Sequence, residues 1–531
     1  MTHISKTKTL LLGAVAVLSL GVMSCRKDFL DINSNPNTAT SASITPELIF
    51  PSAAVRSAAL QGGGSQTFLN NWMGYTGASG DFVPDLVETR YDESNTFNTG
   101  NWTTRYDILF DLFQTKNLAL AKGDSVLAGA SMILSDKLWQ ELVDLYGNIP
   151  YTDAFHIERT STPTYDNAAS IYVALEADLD KAISYMHGTP SGSYQSTIGA
   201  VIHFGAGPGS TADLPKWRRF ANTLKLRMLI RTSEVTVTGL NRTAELAKIT
   251  AEGGVLQSGE TVNVNPGYSN DAGKQSPYYG NFGFTSTGID ASSIVRANKY
   301  SVDSLSARND PRLRYFYRGI GATGAVPNPA TAIVGVSYGA TTNPGGSASS
   351  KVGVGTATSS TQDAWILTST ESLFLYAEAI QRGWLTGSTP AAAYANAVTE
   401  SFIQLGVPSA ATAAATYMAN NPLADFANAN ATITNSSGTF TFTPVKFILY
   451  QKYIALNQFD PLESYSDLRR INFMPDNGYI SKNANRLASV LPNRLIYPQE
   501  EYTLNLANVS AQGTIDHTTI FTPATKLFWQ P

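Results

Sequence analysis

Apolar residues spaced three and four apart, recurring in separated stretches, constrain this chain more than any other feature. In "DNAASIYVALEADLDKAISYM", Leu175, Leu179, Ala182, Ile183 and Met186 fall on one stripe, and Asp166 is placed to cap the start. In "KWRRFANTLKLRMLIR", Trp217, Phe220, Ala221, Leu224 and Met228 form the apolar face, with Arg218, Arg219, Lys225 and Arg227 largely on other faces. "TESLFLYAEAIQRG" repeats the pattern through Leu373, Tyr376, Ala377 and Ile380, and Gly383 follows as a stop. "VKFILYQKYIALNQ" reads as a further helix. Alanine at stripe positions lets helices approach closely, as in stacked helix pairs, although no strict repeat of about 34 residues is visible. Strand signals are short: "VIHFG" and "TFTFTP". Residues 319–360, rich in Gly, Ala, Thr and Ser with Pro327, Pro329 and Pro344, read as a partly irregular excursion. The expected fold is mainly α, one domain over residues 25–531, with long loops and small hairpins.

Residues 1–24 have the layout of an export signal. Lys6 and Lys8 precede an apolar run from Leu10 to Met23, and no acid interrupts it. The run is shorter than the roughly 20 residues needed to span a bilayer. It ends at Cys25, the single cysteine of the chain. Val22-Met23-Ser24-Cys25 resembles the lipobox of bacterial lipoproteins, which implies cleavage before Cys25 and lipid on its sulfur. One acyl chain anchors only marginally and several hold firmly, each buried CH₂ contributing about 0.8 kcal/mol. A single cysteine also excludes an internal disulfide and any cysteine-based metal site.

Without those 24 residues the chain carries 35 basic and 41 acidic residues, a balance of −6. It has no basic block, which argues against nucleic acid as a partner. Charged residues make up 15%, well below the roughly 25% of average proteins. Ser, Thr, Asn and Gly fill the difference, a polar surface chemistry suited to neutral, hydroxyl-rich ligands but also common in exported proteins with no sugar function. A sugar ring offers an apolar CH face for an aromatic ring and a rim of hydroxyls for amides and charged groups.

Two loop-like regions have that mixture. The first, residues 70–107, contains Trp72, Tyr75, Phe82, Tyr91 and Trp102 beside Asn71, Asp81, Asn101 and Arg105. The second, "NDAGKQSPYYGNFGF", contains Tyr278, Tyr279, Phe282 and Phe284 beside Asn270, Lys274, Gln275 and Asn281. Ligand contact is expected of Trp72, Tyr75, Phe82, Asn101, Trp102, Tyr278, Tyr279 and Asn281. Tyr106, four residues after Trp102, reads as core, as do Trp139, Tyr146, Trp217, Phe220 and Tyr376, with Glu378 as a satisfied buried partner.

Catalytic signatures are missing. His156, His187, His203 and His517 are scattered and none lies in HExxH. There is no GxSxG motif, and "GAGPGS" lacks the lysine of a phosphate-binding loop. No cue selects a carboxylate pair for glycoside hydrolysis. Asp460, Glu463 and Asp467 form an acidic cluster able to attract calcium, although helix capping and solvated charge explain such a cluster better; no EF-hand loop is present. No cofactor is otherwise expected.

Several blocks together resemble SusD/RagB-type outer-membrane lipoproteins of Bacteroidetes. They are "CRKDFLDINSNPN", "LWQELVDLYGNIPYTDAF", "WRRFANTLKLRMLIR", "NDPRLRYF", "LFLYAEAIQRG", "YANAVTESFIQLGV", "YQKYIALNQFDPLESYSDLRR" and "NRLIYPQEEYTLN", in family order. Asn457-Gln458-Phe459-Asp460 and Tyr465 stand where the commoner family form has Glu-Gly and Trp. The resemblance implies a mainly helical fold with tetratricopeptide-like helix pairs. It implies a non-enzymatic surface lipoprotein, anchored in the outer membrane through Cys25 and facing outward, with Arg26-Lys27-Asp28 compatible with that route. Such a protein captures a nutrient, typically a glycan, and lies over a SusC-like TonB-dependent transporter. A peptide ligand, or a mainly structural lid, are the alternatives; glycoside hydrolysis is a more distant one.

Overall fold

The stripes become helices whose starts are capped by short polar side chains. The computed structural model describes residues 44–531 except 64–65, 193, 206–212, 323–326 and 328–329. The leader, Cys25 and most of "GAGPGS" therefore lie outside the described residues. Pro46–Pro531 forms one compact unit. Among the described residues, eleven helices have ten residues or more: α1 (Pro46–Gly62), α2 (Gly100–Ala121), α3 (Ser125–Tyr146), α4 (Ala168–Tyr185), α5 (Leu214–Arg231), α6 (Arg242–Ala251), α7 (Ser369–Gln381), α8 (Pro390–Gln404), α9 (Ala410–Asn420), α10 (Pro444–Ala455) and α11 (Pro461–Arg470).

Asp124, Asn241, Thr368, Thr389, Thr443 and Asp460 each accept a backbone N–H in the first turn of the helix they precede. Such caps satisfy donors that have no partner within the helix. Proline opens α8, α10 and α11, where its missing N–H costs nothing. The cap of α4 is Asn167, whose Oδ1 accepts from Ala169 and Ser170. The expected Asp166 instead receives the N–H groups of Tyr151 and Thr152. It ties the turn after α3 to the start of α4, a longer-range use that local spacing does not reveal. Gly383 stops α7 as expected: at φ +71° it takes a conformation that strains residues with a side chain.

Neighbouring helices pack in chain order, α1 on α2, α2 on α3, α3 on α4 and α4 on α5; then α5 meets α6 and α7, α7 meets α8, and α8 meets α9. α10 packs on α7 and α8, and α11 on α5. This is the stacked-pair arrangement expected from the alanine-rich stripes. The position of α5 shows what its stripe alone does not. Its apolar stripe is buried, but so are its charged residues, with Lys225 0% exposed and Arg227 and Arg231 buried beside it. From Ala221 to Arg231 α5 is enclosed by its neighbours among α3, α4, α6, α7 and α11, while Arg218 and Arg219 near its start stay partly exposed. Each cation is matched within the core. Lys225 pairs with Glu245 at 2.6 Å and with Asp180. Arg227 reaches Gln140 at 2.9 Å and Glu371 at 3.3 Å. Arg231 reaches Asp144 at 3.2 Å and Glu463. A buried charge persists only when paired and hydrogen-bonded.

The strands are short and all pair antiparallel. β1 (Thr76–Ala78) pairs β4 (Val295–Ala297); β2 (Ile202–Phe204), β3 (Val262–Val264) and β7 (Ala364–Leu367) form a three-stranded sheet; β5 (Tyr317–Arg318) pairs β6 (Lys351–Val352); β8 (Thr432–Asn435) pairs β9 (Gly438–Thr441). "VIHFG" and "TFTFTP" supply β2 and most of β9, as their alternation predicts. No helix among the described residues is long and apolar enough to cross a membrane.

Candidate functional site

The first loop region forms a platform with β4, which follows shortly after the second region in the chain. Thr76 pairs with Ala297 and Ala78 with Val295 across β1–β4, and Ser79 N–H continues the ladder onto Ile294 O at 2.9 Å. The irregular excursion after residue 319 returns as a strap on this ladder. Val336 N–H donates to Ala297 O, and Ala297 N–H to Ser350 O, both at 2.8 Å. Gly80 N–H donates to Pro344 O at 2.9 Å. A Cβ on Gly80 would lie 2.0 Å from Asn343 O, so the strap closes only over glycine. Gly346 N–H then donates to the Asp81 carboxylate at 2.6 Å, and Arg296 donates to Val295 O at 2.7 Å beside it. Three segments far apart in sequence are held by backbone bonds, which gives loop side chains a rigid base.

Phe82 (38% exposed) and Val83 (85%) stand on this base. On the other side, the short helix Pro277–Phe282 carries half-buried Tyr279 and exposed Asn281. The Tyr279 ring lies 6.4 Å from Phe284, and the Arg318 guanidinium sits 4.4 Å from the Phe284 centroid. Arg318 and Lys351 both pair with Asp290. Burial works against the Asp290 charge, but Lys351 and Arg318 outweigh it and hold the carboxyl below its ordinary range. Asp290 thus ties buried Arg318 to partly exposed Lys351. Aromatic edges beside amide, carboxylate and guanidinium groups can cover a sugar face and bond its hydroxyls.

Of the eight expected ligand residues, Phe82, Tyr279 and Asn281 are at least partly exposed, with Asn281 donating its amide to Gly62 O at 2.9 Å. Five are corrected. Trp72 is 0% exposed, set edge-on to Phe68 at 4.9 Å and against Tyr465 at 5.7 Å. Tyr75 stacks on Tyr453 at 4.8 Å and donates its hydroxyl to Tyr453 O at 2.6 Å. Trp102 packs against Tyr106 at 4.9 Å and Tyr146 at 5.0 Å. Buried Asn101 accepts twice from Arg105, at 3.0 and 2.9 Å. Tyr278 packs on Trp365 at 5.0 Å and donates to Gln458 at 2.9 Å. A covered ring presents no face to a ligand, so these five belong to the core. The residues missed, Asp290, Arg296, Arg318 and Lys351, lie outside the two aromatic-rich stretches. The only sequence sign of the strap was its run of Pro and Gly.

The acidic cluster is engaged by its own chain. Asp460 caps α11 through Glu463 N–H at 3.0 Å, Glu463 bonds Lys452 at 2.6 Å, and Asp467 bonds Arg470 at 2.7 Å. Among the described residues, no three His, Cys, Asp or Glu side chains converge as metal ligands do.

A SusD-like family model described as starch-binding associating with outer membrane matches residues 37–498. No curated protein sequence matches the chain. Among solved structures, a SusD/RagB family protein from Bacteroides thetaiotaomicron is 19% identical with a TM-score of 0.69, covering 92% of this chain and 99% of its own. A SusD homologue from Bacteroides fragilis is 19% identical with a TM-score of 0.68, over 92% and 99%. A chitin-binding SusD homologue from Flavobacterium johnsoniae is 21% identical with a TM-score of 0.68, over 91% and 98%.

Proposed function

The chain belongs to the SusD-like family of starch-binding proteins that associate with the outer membrane, and we propose from that premise that it captures a saccharide on the β1–β4 platform and delivers it to a SusC-like TonB-dependent transporter. One observation carries the reading. β1 of the first loop region pairs with β4, a short way beyond the second, and each region leaves an aromatic ring at least partly open, Phe82 in the first and Tyr279, near Asn281, in the second. The chitin-binding relative supports a glycan as the ligand class. Cys25 anchors the mature protein by lipid, facing outward. The exposed Val83, Leu86, Ile289 and Ile294 on the same loops suit contact with the transporter. Binding without turnover is the reading that membership of a binding-protein family supports.

Titration calorimetry against neutral gluco-, chito- and xylo-oligosaccharides, with product analysis of the same mixtures, tests this. Binding heat with no new products is expected. Turnover establishes an enzyme; silence toward every saccharide, with heat for peptides, establishes a peptide receptor.

A further inference from the structure

Beyond the far end of β4, where Asn298 caps the short helix Lys299–Ser306, lies a cleft of about 680 Å³. It falls within the roughly 300–1,000 Å³ of small-ligand sites. Its walls come from that helix, from the β8–β9 turn and from residues 476–489. The third wall is tied down by two backbone bonds, Lys482 N–H to Tyr338 O and Leu487 N–H to Arg90 O, each 2.8 Å. The Tyr300 ring is clamped against Gly478, where a Cβ would come within 2.4 Å of it.

Charge sets this cleft apart. Arg308, Lys482 and Arg486 all line it, and among the described residues none has a carboxylate within 4.0 Å. The Nε atoms of Arg308 and Arg486 are buried and have no hydrogen-bond partner. The interior cations of the helical layer, by contrast, each have an acid beside them. The two acids on the walls do not neutralise the three cations. Asp303 is matched by Lys299 at 2.6 Å; Asp476, whose Oδ1 accepts Gly478 N–H at 2.7 Å, keeps its charge, so the walls carry three cations against one unmatched acid. In a chain of net charge −4, a recess with an excess of positive charge favours an anionic ligand. Arginine forks favour planar, bidentate oxyanions. The remaining walls carry Asn435, Ser436, Ser437 and Asn477, groups that match sugar hydroxyls.

We infer that this cleft is a second saccharide site, selective for sugars bearing a carboxylate or sulfate, held by Arg308, Lys482 and Arg486. The inference rests on the reading of the chain as a saccharide receptor and adds a charge class to its ligands. Arg308 is also bound to Ser304 at 2.6 Å and stacked on Tyr450, so substitutions for the test are confined to Lys482→Gln and Arg486→Gln.

The test is calorimetry of the full chain with a hexuronate oligosaccharide, a sulfated oligosaccharide, a neutral oligosaccharide of equal length, and sodium sulfate alone. An acidic oligosaccharide should bind tighter than the neutral one, weaken as salt screens the charges, and lose at least about tenfold affinity in K482Q/R486Q. Neutral binding should not change in that variant. Preference for the uronate or for the sulfate ester tells which oxyanion the cleft takes. No acidic preference, or an acidic affinity untouched by the double substitution, overturns the inference while neutral binding keeps the receptor reading intact. Sodium sulfate displacing the sugar's charge contact without any contribution from the sugar rings overturns it as a saccharide site. Failure of all saccharides, neutral ones included, overturns both readings.

Discussion

Glu378 on α7 and Arg470 on α11 form a bidentate pair, Nη1 to Oε1 at 2.7 Å and Nη2 to Oε2 at 2.8 Å, with both side chains buried. Burial opposes the Glu378 charge, but Arg470 outweighs it and holds the carboxyl below its ordinary range. Glu378→Gln keeps the volume and removes the charge. Removing one member of a buried pair typically costs about 3–5 kcal/mol. Arg470 keeps Asp467 at 2.7 Å and Ser233 at 2.9 Å, so the lower end applies, about 3 kcal/mol. Unfolding entropy of about 2.1 cal/mol/K per residue amounts to roughly 1 kcal/mol/K for a unit the size of Pro46–Pro531, so Tm should fall by about 3 °C. Differential scanning calorimetry at neutral pH reads this directly. The decisive control is Glu378→Leu combined with Arg470→Met. Asp467 would keep Lys452 at 2.8 Å and Arg382 would keep Glu234 at 2.8 Å, so no charge is orphaned. The double variant should recover most of the loss. A single variant with unchanged Tm, or a double variant that loses the sum of both singles, would refute the reasoning.

Two further outcomes follow from named side chains. Burial pushes the Glu141 carboxyl up, but Lys137 and Arg105 prevail and hold it at about 2 against its ordinary 4.5. A depressed carboxyl stabilises above its unfolded value and stops doing so as pH falls through its folded one. Tm should therefore drop between pH 4.5 and 2, and Glu141→Gln should flatten that slope while lowering Tm at neutral pH; an unchanged slope would show that Glu141 does not contribute. Gly80→Ala should push the strap off β1, since its Cβ would overlap Asn343 O. Saccharide binding should weaken, with a stability loss of about 1–3 kcal/mol measured by urea unfolding; unaltered binding would detach the strap from the site.

The stripe of Leu175, Leu179, Ala182 and Ile183 and the stop at Gly383 were legible because they depend on neighbours within a turn or two. Asn167 taking the cap in place of Asp166 was not, because the choice turns on Tyr151 and Thr152 across the α3–α4 turn. The buried charges of α5 were hidden for a related reason. Periodicity marks one apolar face, but whether Arg231 faces water or Glu463 depends on a residue more than two hundred positions away. The platform was half legible. Aromatic and amide enrichment found both loops, yet Trp72 and Phe82 share a composition and differ only in which way the backbone aims them. Core rings bury about 150–250 Å² each, so an aromatic-rich loop stretch supplies the core beneath a site as readily as the site itself. Arg318, Lys351 and Asp290 escaped notice because their meeting requires β5–β6 to pair.

The central claim, that a saccharide is held by the exposed rings and not by the covered ones, is tested most directly by comparing Phe82→Ala/Tyr279→Ala with Trp72→Ala in affinity and melting. The double surface variant should lose saccharide affinity with Tm nearly intact, while Trp72→Ala should cost about 3–5 kcal/mol of stability. Full affinity in the surface variant would contradict the account, whatever Trp72→Ala does to the fold.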